Sequence, residues 1–143
     1  MKFTEEEKLR IKEAIQAAEK LTSGEIQVFI ENTCKIDVLD RAAYQFKQLD
    51  MHKTELRNGV LIYLALEDKK FSIIGDAGIH AVTGANFWNA TKETMAILFK
   101  QGKIVEGLIS GIGMAGRALQ ENFPYQHGDV NELSDDIKFG EEM

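Results

Sequence analysis

The sequence predicts an α/β fold, a three-layer α/β/α sandwich built around a small mixed sheet. The first observation is that residues 60–66 form an almost continuous apolar run, which is typical of a strand buried on both faces. The second is that a short charged break at 67–70 separates this run from apolar residues 71–74, a pattern that predicts a β-hairpin. The third is that helical patterns flank the hairpin on both sides, and a strand buried on both faces needs such layers.

The residues before the hairpin predict a helix, a strand and a second helix. A capping-box pattern at residues 4–7 predicts that the first helix begins there. Residues 25–30 alternate polar and apolar side chains before ending apolar, which indicates a strand. The second helix is predicted over 42–51, with Asp37 or Asp40 as its N-cap. This order makes a βαβ unit with the first strand of the hairpin, so the two strands should be parallel.

The residues after the hairpin predict a loop and two more helices. Gly75-Asp76-Ala77-Gly78 is predicted to be a glycine-rich loop. The helices are predicted over 86–100 and from 103 to about 122. The last helix contains Gly107, Gly111, Gly113 and Gly116, each of which lowers helix propensity. Four glycines in one helix predict close packing against a neighbouring element.

Length, composition and charge limit the class of protein. The 143 residues predict one domain with enough chain for a core. No apolar run reaches the roughly 20 residues needed to cross a membrane, and the charged first ten residues contain no signal-peptide core. Together with a single cysteine, Cys34, these features predict a soluble cytoplasmic protein. The net charge of −6 provides no basic face, which argues against nucleic acid as a partner.

The acidic charge is concentrated at the C-terminus. Residues 124–143 carry six acidic residues and one base, Lys138, so we divide the chain into a domain at 1–123 and an acidic C-terminal tail at 124–143. We expect the tail to be loosely held and to add little stability. Its few apolar residues bury too little surface to offset an ordering cost of about 1–2 kcal/mol per residue. Those apolar residues are Val130, Leu133, Ile137 and Phe139.

Four motifs in order are similar to those of a known family. They are Ser23-Gly24-Glu25-Ile26, Arg57-Asn58-Gly59-Val60-Leu61-Ile62, Gly75-Asp76-Ala77-Gly78-Ile79, and Phe99-Lys100-Gln101-Gly102-Lys103 with Glu106-Gly107-Leu108. Together they resemble the TPM domain family, over about residues 4 to 122. That family includes thylakoid-lumen acid phosphatase-like proteins and many bacterial proteins. The resemblance implies an α/β/α sandwich, and it implies the calcium binding and acid phosphatase activity attributed to some members.

The predicted topology gathers polar side chains at two edges of the sheet. One edge, where the motifs meet, brings together Glu25 at the start of the first strand, Asn58 before the second and Asp76 after the third. These side chains could give a hard cation oxygen ligands, with backbone carbonyls and waters completing a set of about six to eight. The motifs favour this edge, so Glu25, Asn58 and Asp76 are the predicted metal ligands, with calcium as the favoured ion.

The opposite edge is the alternative location for a site. Open α/β sheets usually bind ligands at the carboxyl ends of their parallel strands, which lie at this edge. The polar residues predicted to gather there are Glu31, Asn32, Asp37, Glu67 and Asp68.

Three functions stay open on this interpretation. The first is a soluble TPM-type domain that binds a divalent cation, calcium in particular, at a sheet edge. The second is a metal-assisted acid phosphatase acting on phosphomonoesters, with Arg57 as the cation that would hold the phosphate. The third is a non-catalytic adaptor whose sheet edge or acidic tail docks a protein partner. Turnover of a phosphomonoester that vanishes with Asp76→Ala would separate the enzyme from the two binding proteins.

Overall fold

The structure, a computed structural model, describes residues 3–126 and 135–140. A 3-10 turn (Met51–Lys53) precedes the second strand. The other elements in chain order are α1 (Glu5–Glu19), β1 (Glu25–Glu31), α2 (Val38–Gln48), β2 (Gly59–Ala65), β3 (Lys70–Gly75), α3 (Ala77–Thr83), α4 (Asn89–Lys100), α5 (Ile104–Gln120) and β4 (Lys138–Phe139).

The four strands form one mixed sheet in the order β3–β2–β1–β4. β1 and β2 run parallel, with Glu25 opposite Gly59 and Glu31 opposite Ala65. β2 and β3 form an antiparallel hairpin, and β4 lies parallel to β1. The predicted βαβ unit and the predicted hairpin are therefore confirmed.

An apolar layer covers each face of the sheet. On one face, Ile26 and Ile62 belong to a buried cluster that includes residues of α1, α4 and α5. On the other face, Phe29 and Tyr63 stack with their ring centroids 6.1 Å apart, in a cluster with Phe46 of α2. This arrangement is the predicted three-layer sandwich. None of the helices in the described part of the chain is both long and apolar enough to span a membrane.

Side-chain caps at Thr4 and Asp37 fix where the first two helices begin. Thr4 Oγ1 accepts the N–H of Glu7 at 3.0 Å, and Glu7 Oε1 accepts the N–H of Thr4 at 2.8 Å, which confirms the capping box. Asp37 Oδ1 accepts the N–H of Leu39 at 2.9 Å. Asp37 is therefore the N-cap used, and α2 begins at Val38, earlier than the sequence predicted.

Three of the four glycines of α5 lie against neighbouring helices. Gly107 and Gly111 face α4, where the nearest atoms belong to Phe99 and Met95. Gly116 faces α1, where an added Cβ would lie 2.8 Å from the Cβ atom of an alanine. A larger residue at any of these positions would crowd the helix interface. The prediction that these glycines mark close packing is confirmed at the three positions.

The prediction of a glycine-rich loop after the hairpin is wrong, because a short helix begins there. Asp76 is the N-cap of α3, and its Oδ1 accepts the N–H of Ala77 at 2.7 Å. Gly78 lies in the first turn of α3 and donates its N–H to the carbonyl of Arg57 at 2.9 Å. A Cβ atom at Gly78 would overlap the carbonyl oxygens of Leu56 and Arg57. The backbone approach therefore requires glycine at this position.

The expectation of a loosely held tail is wrong at residues 138–140, because a strand of the sheet lies there. Lys138 pairs with Phe29 and Phe139 pairs with Ile30, and the N–H of Gly140 donates to the carbonyl of Ile30 at 2.9 Å. The sequence does not predict this strand, because the strand is only two residues long and follows an acidic stretch.

Side-chain contacts also hold this segment against α1. The ring of Phe139 lies 6.4 Å from that of Phe3 and 5.4 Å from the ammonium of Lys8. Asp136 forms an ion pair with Lys12 at 2.8 Å. Val130 and Leu133 lie outside the described residues, as do Asp129, Glu132, Glu141 and Glu142. The division of the chain at residue 123 stays a prediction.

Candidate functional site

The three predicted site residues lie at one edge of the sheet, at the adjoining ends of β1, β2 and β3. The N–H of Glu25 donates to the carbonyl of Asn58 at 3.3 Å, which joins the beginnings of β1 and β2. The N–H of Asp76 donates to the carbonyl of Gly59 at 3.0 Å, which joins β2 to the end of β3. We call this group, with Arg57, the Asn58 edge: Glu25, Arg57, Asn58 and Asp76.

A tight turn before β2 presents Asn58 to its neighbours. Thr54 accepts the N–H of Arg57 at its carbonyl and the N–H of Asn58 at its hydroxyl, at 3.2 and 3.3 Å. Arg57 adopts a left-handed backbone conformation with φ of 52°, which reverses the chain toward the strand. The Asn58 side chain then donates to Ser23 Oγ at 3.4 Å. The turn therefore links the first two family-like motifs directly.

Three of the four polar side chains of the Asn58 edge, those other than Arg57, are buried rather than solvated. The exposed fractions are 4% for Glu25, 2% for Asn58 and 7% for Asp76. Burying a carboxylate is unfavourable unless hydrogen bonds or opposite charges compensate it. The arrangement of these acids therefore depends on the partners that the fold supplies.

Arg57 compensates Asp76 through two parallel hydrogen bonds. Arg57 Nε lies 2.7 Å from Asp76 Oδ2, and Arg57 Nη2 lies 2.8 Å from Asp76 Oδ1. This bidentate geometry is a strong form of ion pair. The hydrogen bonds and the negative charge of Asp76 raise the pKa of the Arg57 guanidinium. The Arg57 side chain is half exposed, whereas Asp76 is buried, so the ion pair compensates a buried carboxylate from the solvent side.

Glu19 and Asp135 add two carboxyl groups next to Glu25, at the beginning of β1. Glu19 Oε2 accepts the N–H of Ile26 at 2.9 Å. Burial, a hydrogen bond with Asp135 and the charge of Glu25 together raise the pKa of Glu19 to about 10. Sequence reasoning missed this cluster, because Glu19 reads as an ordinary acid near a helix end. In residues 3–126 and 135–140, no three Asp, Glu, His or Cys side chains are arranged to hold a metal ion.

The raised pKa of Glu19 predicts that stability falls as pH rises. The folded state keeps a proton that the unfolded state releases above its usual pKa of 4.5. Between that value and about 10 the free energy of unfolding should therefore decrease, by at most about 1.4 kcal/mol per pH unit. Glu19→Gln mimics the protonated acid, so it should flatten this slope and stabilise the protein at pH 8. Urea unfolding from pH 5 to 9 measures both effects.

Glu13→Gln is the control for this prediction, since Glu13 is an exposed acid on the same helix. It should leave the slope of stability against pH as in the wild type. An equally steep slope in Glu19→Gln would show that Glu19 is ionised in the folded protein at neutral pH.

The opposite edge of the sheet holds a separate ion-paired network. Arg41 Nε and Nη2 donate to the two carboxylate oxygens of Glu31 at 2.7 and 2.8 Å, and the Tyr63 hydroxyl donates to Glu31 as well. Burial alone would raise the pKa of Glu31, but the hydrogen bonds from Arg41 and Tyr63 outweigh it and lower that pKa. Burial and the bond to Glu31 raise the pKa of Tyr63.

Two other acids of this edge accept hydrogen bonds from backbone N–H groups. Asp37 caps α2, and Asp68 Oδ2 accepts the N–H of Cys34 at 2.7 Å. Asp68 also lies 3.8 Å from the ammonium of Lys35. Asp37 and Asp68, like Glu31, therefore have structural partners at this edge.

Comparisons with known proteins agree with the fold and the motifs. The TPM domain family matches residues 2–118. No curated protein matches the chain. The solution structure of the BA42 protein from the psychrophilic bacterium Bizionia argentinensis is 48% identical, with a TM-score of 0.92, and the match covers 98% of this chain and 97% of that one.

A second solved structure shares the fold at low identity. It is the N-terminal domain of a protein from P. gingivalis, 16% identical with a TM-score of 0.69, and the match covers 87% of this chain and 82% of that one. Since the family match extends over most of the sequence, including all four motifs, the chain belongs to the TPM domain family.

Proposed function

We propose that this protein binds a divalent cation, with calcium as the favoured ion, at the Asn58 edge. The observation that carries the proposal is the concentration of buried acid at this edge. Glu25 and Asp76 flank Asn58 on neighbouring strands and are each over nine-tenths buried. Glu19 and Asp135 bring further carboxyl groups to the beginning of β1. A cation at Glu25 and Asp76 would compensate their buried carboxyl groups.

The donor atoms at this edge suit calcium. Carboxylate, amide and backbone carbonyl oxygens are the ligands that calcium takes, and it tolerates irregular geometry better than magnesium does. Glu25, Asn58 and Asp76 are the proposed ligands. Arg57 occupies both oxygens of Asp76, so calcium and the guanidinium compete for this carboxylate. We therefore expect Arg57 to set the calcium affinity.

Calcium titration tests the proposal. Backbone amide signals near Gly24, Asn58 and residues 75–78 should shift, and the melting temperature should rise. A hundredfold excess over the dissociation constant stabilises a folded protein by about 2.7 kcal/mol. Glu25→Gln with Asp76→Asn should abolish both effects. Arg57→Gln should tighten binding, because it removes the competing cation.

Asp68→Asn, at the opposite edge, is the control and should bind calcium as the wild type does. Shifts confined to Asp37, Glu67 and Asp68 would move the site to that edge. An unchanged spectrum at millimolar calcium would contradict cation binding altogether.

The other two functions have less support. A phosphatase would use Arg57 to hold phosphate, but Arg57 is paired with Asp76 in this arrangement. Phosphomonoester turnover that disappears in Asp76→Ala is the result that would favour it. An adaptor would dock its partner through the sheet edge or the acidic tail. β4, which belongs to that tail, pairs with the outer side of β1. Both functions stay predictions.

A further inference from the structure

A cavity of about 500 Å³ opens at the carboxyl end of β2. It lies between the turn that joins β2 to β3 and the connection from α4 to α5. Its volume is within the range of about 300–1,000 Å³ typical of small-molecule sites. The carboxyl ends of parallel strands are also where open α/β sheets usually bind ligands. The cavity is distant in the sheet from the Asn58 edge, which lies at the other end of β2.

The walls of the cavity are mainly apolar. Leu66, Phe71, Phe99 and Ile104 line it, and each is only partly buried although it packs against the core. Phe71 and Phe99 meet edge to face, with their ring centroids 5.1 Å apart and an angle of 86° between the rings. Gly107 of α5 lies directly behind the ring of Phe99. This packing holds a preformed apolar surface open to a ligand.

Two lysines give the cavity a positive rim. Lys69, in the hairpin turn, and Lys100, at the end of α4, both line it and are both exposed. Among the described residues, neither ammonium group takes part in an ion pair. The rim of the cavity is therefore positive although the protein as a whole carries a net charge of −6. An apolar cavity with a cationic rim is complementary to a ligand with an apolar body and an anionic end.

We propose that this cavity binds a free amphipathic monocarboxylate, an unbranched acyl chain that ends in a carboxylate. The chain lies against Phe71 and Phe99, where burial of its methylene groups supplies most of the affinity. The carboxylate lies at the rim between Lys69 and Lys100, where water still reaches it and the charges add selectivity more than affinity. Calcium binding at the Asn58 edge is not required for this site.

Sodium decanoate below its micelle concentration is the probe, with decanol and acetate as partial ligands. Amide signals of residues 64–71 and 96–104 should shift with decanoate, and its methylene protons should show contacts to Phe71 and Phe99. Decanol should bind more weakly and acetate should not bind. Lys69→Met with Lys100→Met should weaken decanoate binding roughly threefold to tenfold and leave decanol binding unchanged.

Two further variants complete the test. Ala96→Leu places a larger side chain in the cavity and should weaken decanoate and decanol alike. Lys20→Met with Lys47→Met removes two exposed charges elsewhere on the molecule and should change neither. If Ala96→Leu fails to fold, the two lysine double variants still decide the question.

Several results would overturn the proposal. Equal binding of decanol and decanoate would show that the carboxylate is not recognised. Acetate shifts at the same residues would show a simple anion site. Binding to vesicles containing phosphatidylglycerol without binding to decanoate would show a membrane-surface site. Decanoate shifts outside the cavity, or none, would show that the cavity does not take this ligand.

Discussion

Arg41→Ala is expected to lower the free energy of unfolding by about 3 kcal/mol. Glu31 is 3% exposed, and Arg41 donates to both of its carboxylate oxygens. Without Arg41, the carboxylate stays buried with the Tyr63 hydroxyl as its remaining side-chain donor among those described above. Breaking one side of a buried pair is costly because it leaves an uncompensated charge. Urea unfolding at pH 7 measures the loss.

Glu31 also determines how the destabilisation by Arg41→Ala depends on pH. Its pKa is lowered in the folded state, so its contribution to stability is present above the usual value of 4.5 and is lost as pH falls through the folded pKa. The difference between wild type and Arg41→Ala should therefore shrink in acid. Lys47→Ala removes an exposed charge from the same helix and should change stability by less than about 0.5 kcal/mol. A loss below 1 kcal/mol for Arg41→Ala would show that water replaces the guanidinium.

Removal of residues 127–143 is expected to destabilise the protein by about 2–3 kcal/mol. The truncation deletes β4 and exposes the apolar surface that Ile137 and Phe139 cover. It also removes Asp136, the ion-pair partner of Lys12. For a domain of this size the melting temperature should fall on the order of 10 °C. Differential scanning calorimetry of the full and truncated chains measures the change.

Phe139→Ala in the full chain separates packing from the loss of the tail as a whole. It should account for about half of the destabilisation, because the ring of Phe139 contacts Phe3 and Lys8. Tyr125→Ala is the control, since Tyr125 is exposed and lies outside β4. A truncated chain that melts within a degree or two of the full one would restore the view of the tail as a solubilising segment.

The sheet and its layers could be predicted because their signals are local. Apolar runs, the four-residue break at 67–70 and the capping box all report on the residues that carry them. The gathering of Glu25, Asn58 and Asp76 at one edge followed from topology alone, since parallel strands begin at the same edge. The bidentate bond between Arg57 and Asp76 did not follow, because it depends on a side-chain conformation that no spacing encodes.

Long-range pairings escaped prediction for the same reason. Glu31 and Arg41 lie ten positions apart on different elements, and their contact needs the exact crossing of α2 over the sheet. The sequence suggests that Asp76 lies in a loop, because Gly75 and Gly78 are typical of a turn and the helix that follows is only seven residues long. β4 is two residues long, which is too short to show the alternation of polar and apolar side chains typical of a strand. The ion pair and β4 depend on tertiary structure rather than on local pattern.

The position of β4 also bears on whether another chain can pair with the sheet. An edge strand with free backbone groups is a template on which another chain can add a strand. On the outer side of β1, the Glu19 side chain accepts the N–H of Ile26, and the N–H of Gly140 donates to the carbonyl of Ile30. Without these partners, a strand whose seven residues are all buried would become an open edge. The C-terminal segment and Glu19 therefore cover backbone groups of β1 on which another chain could add a strand.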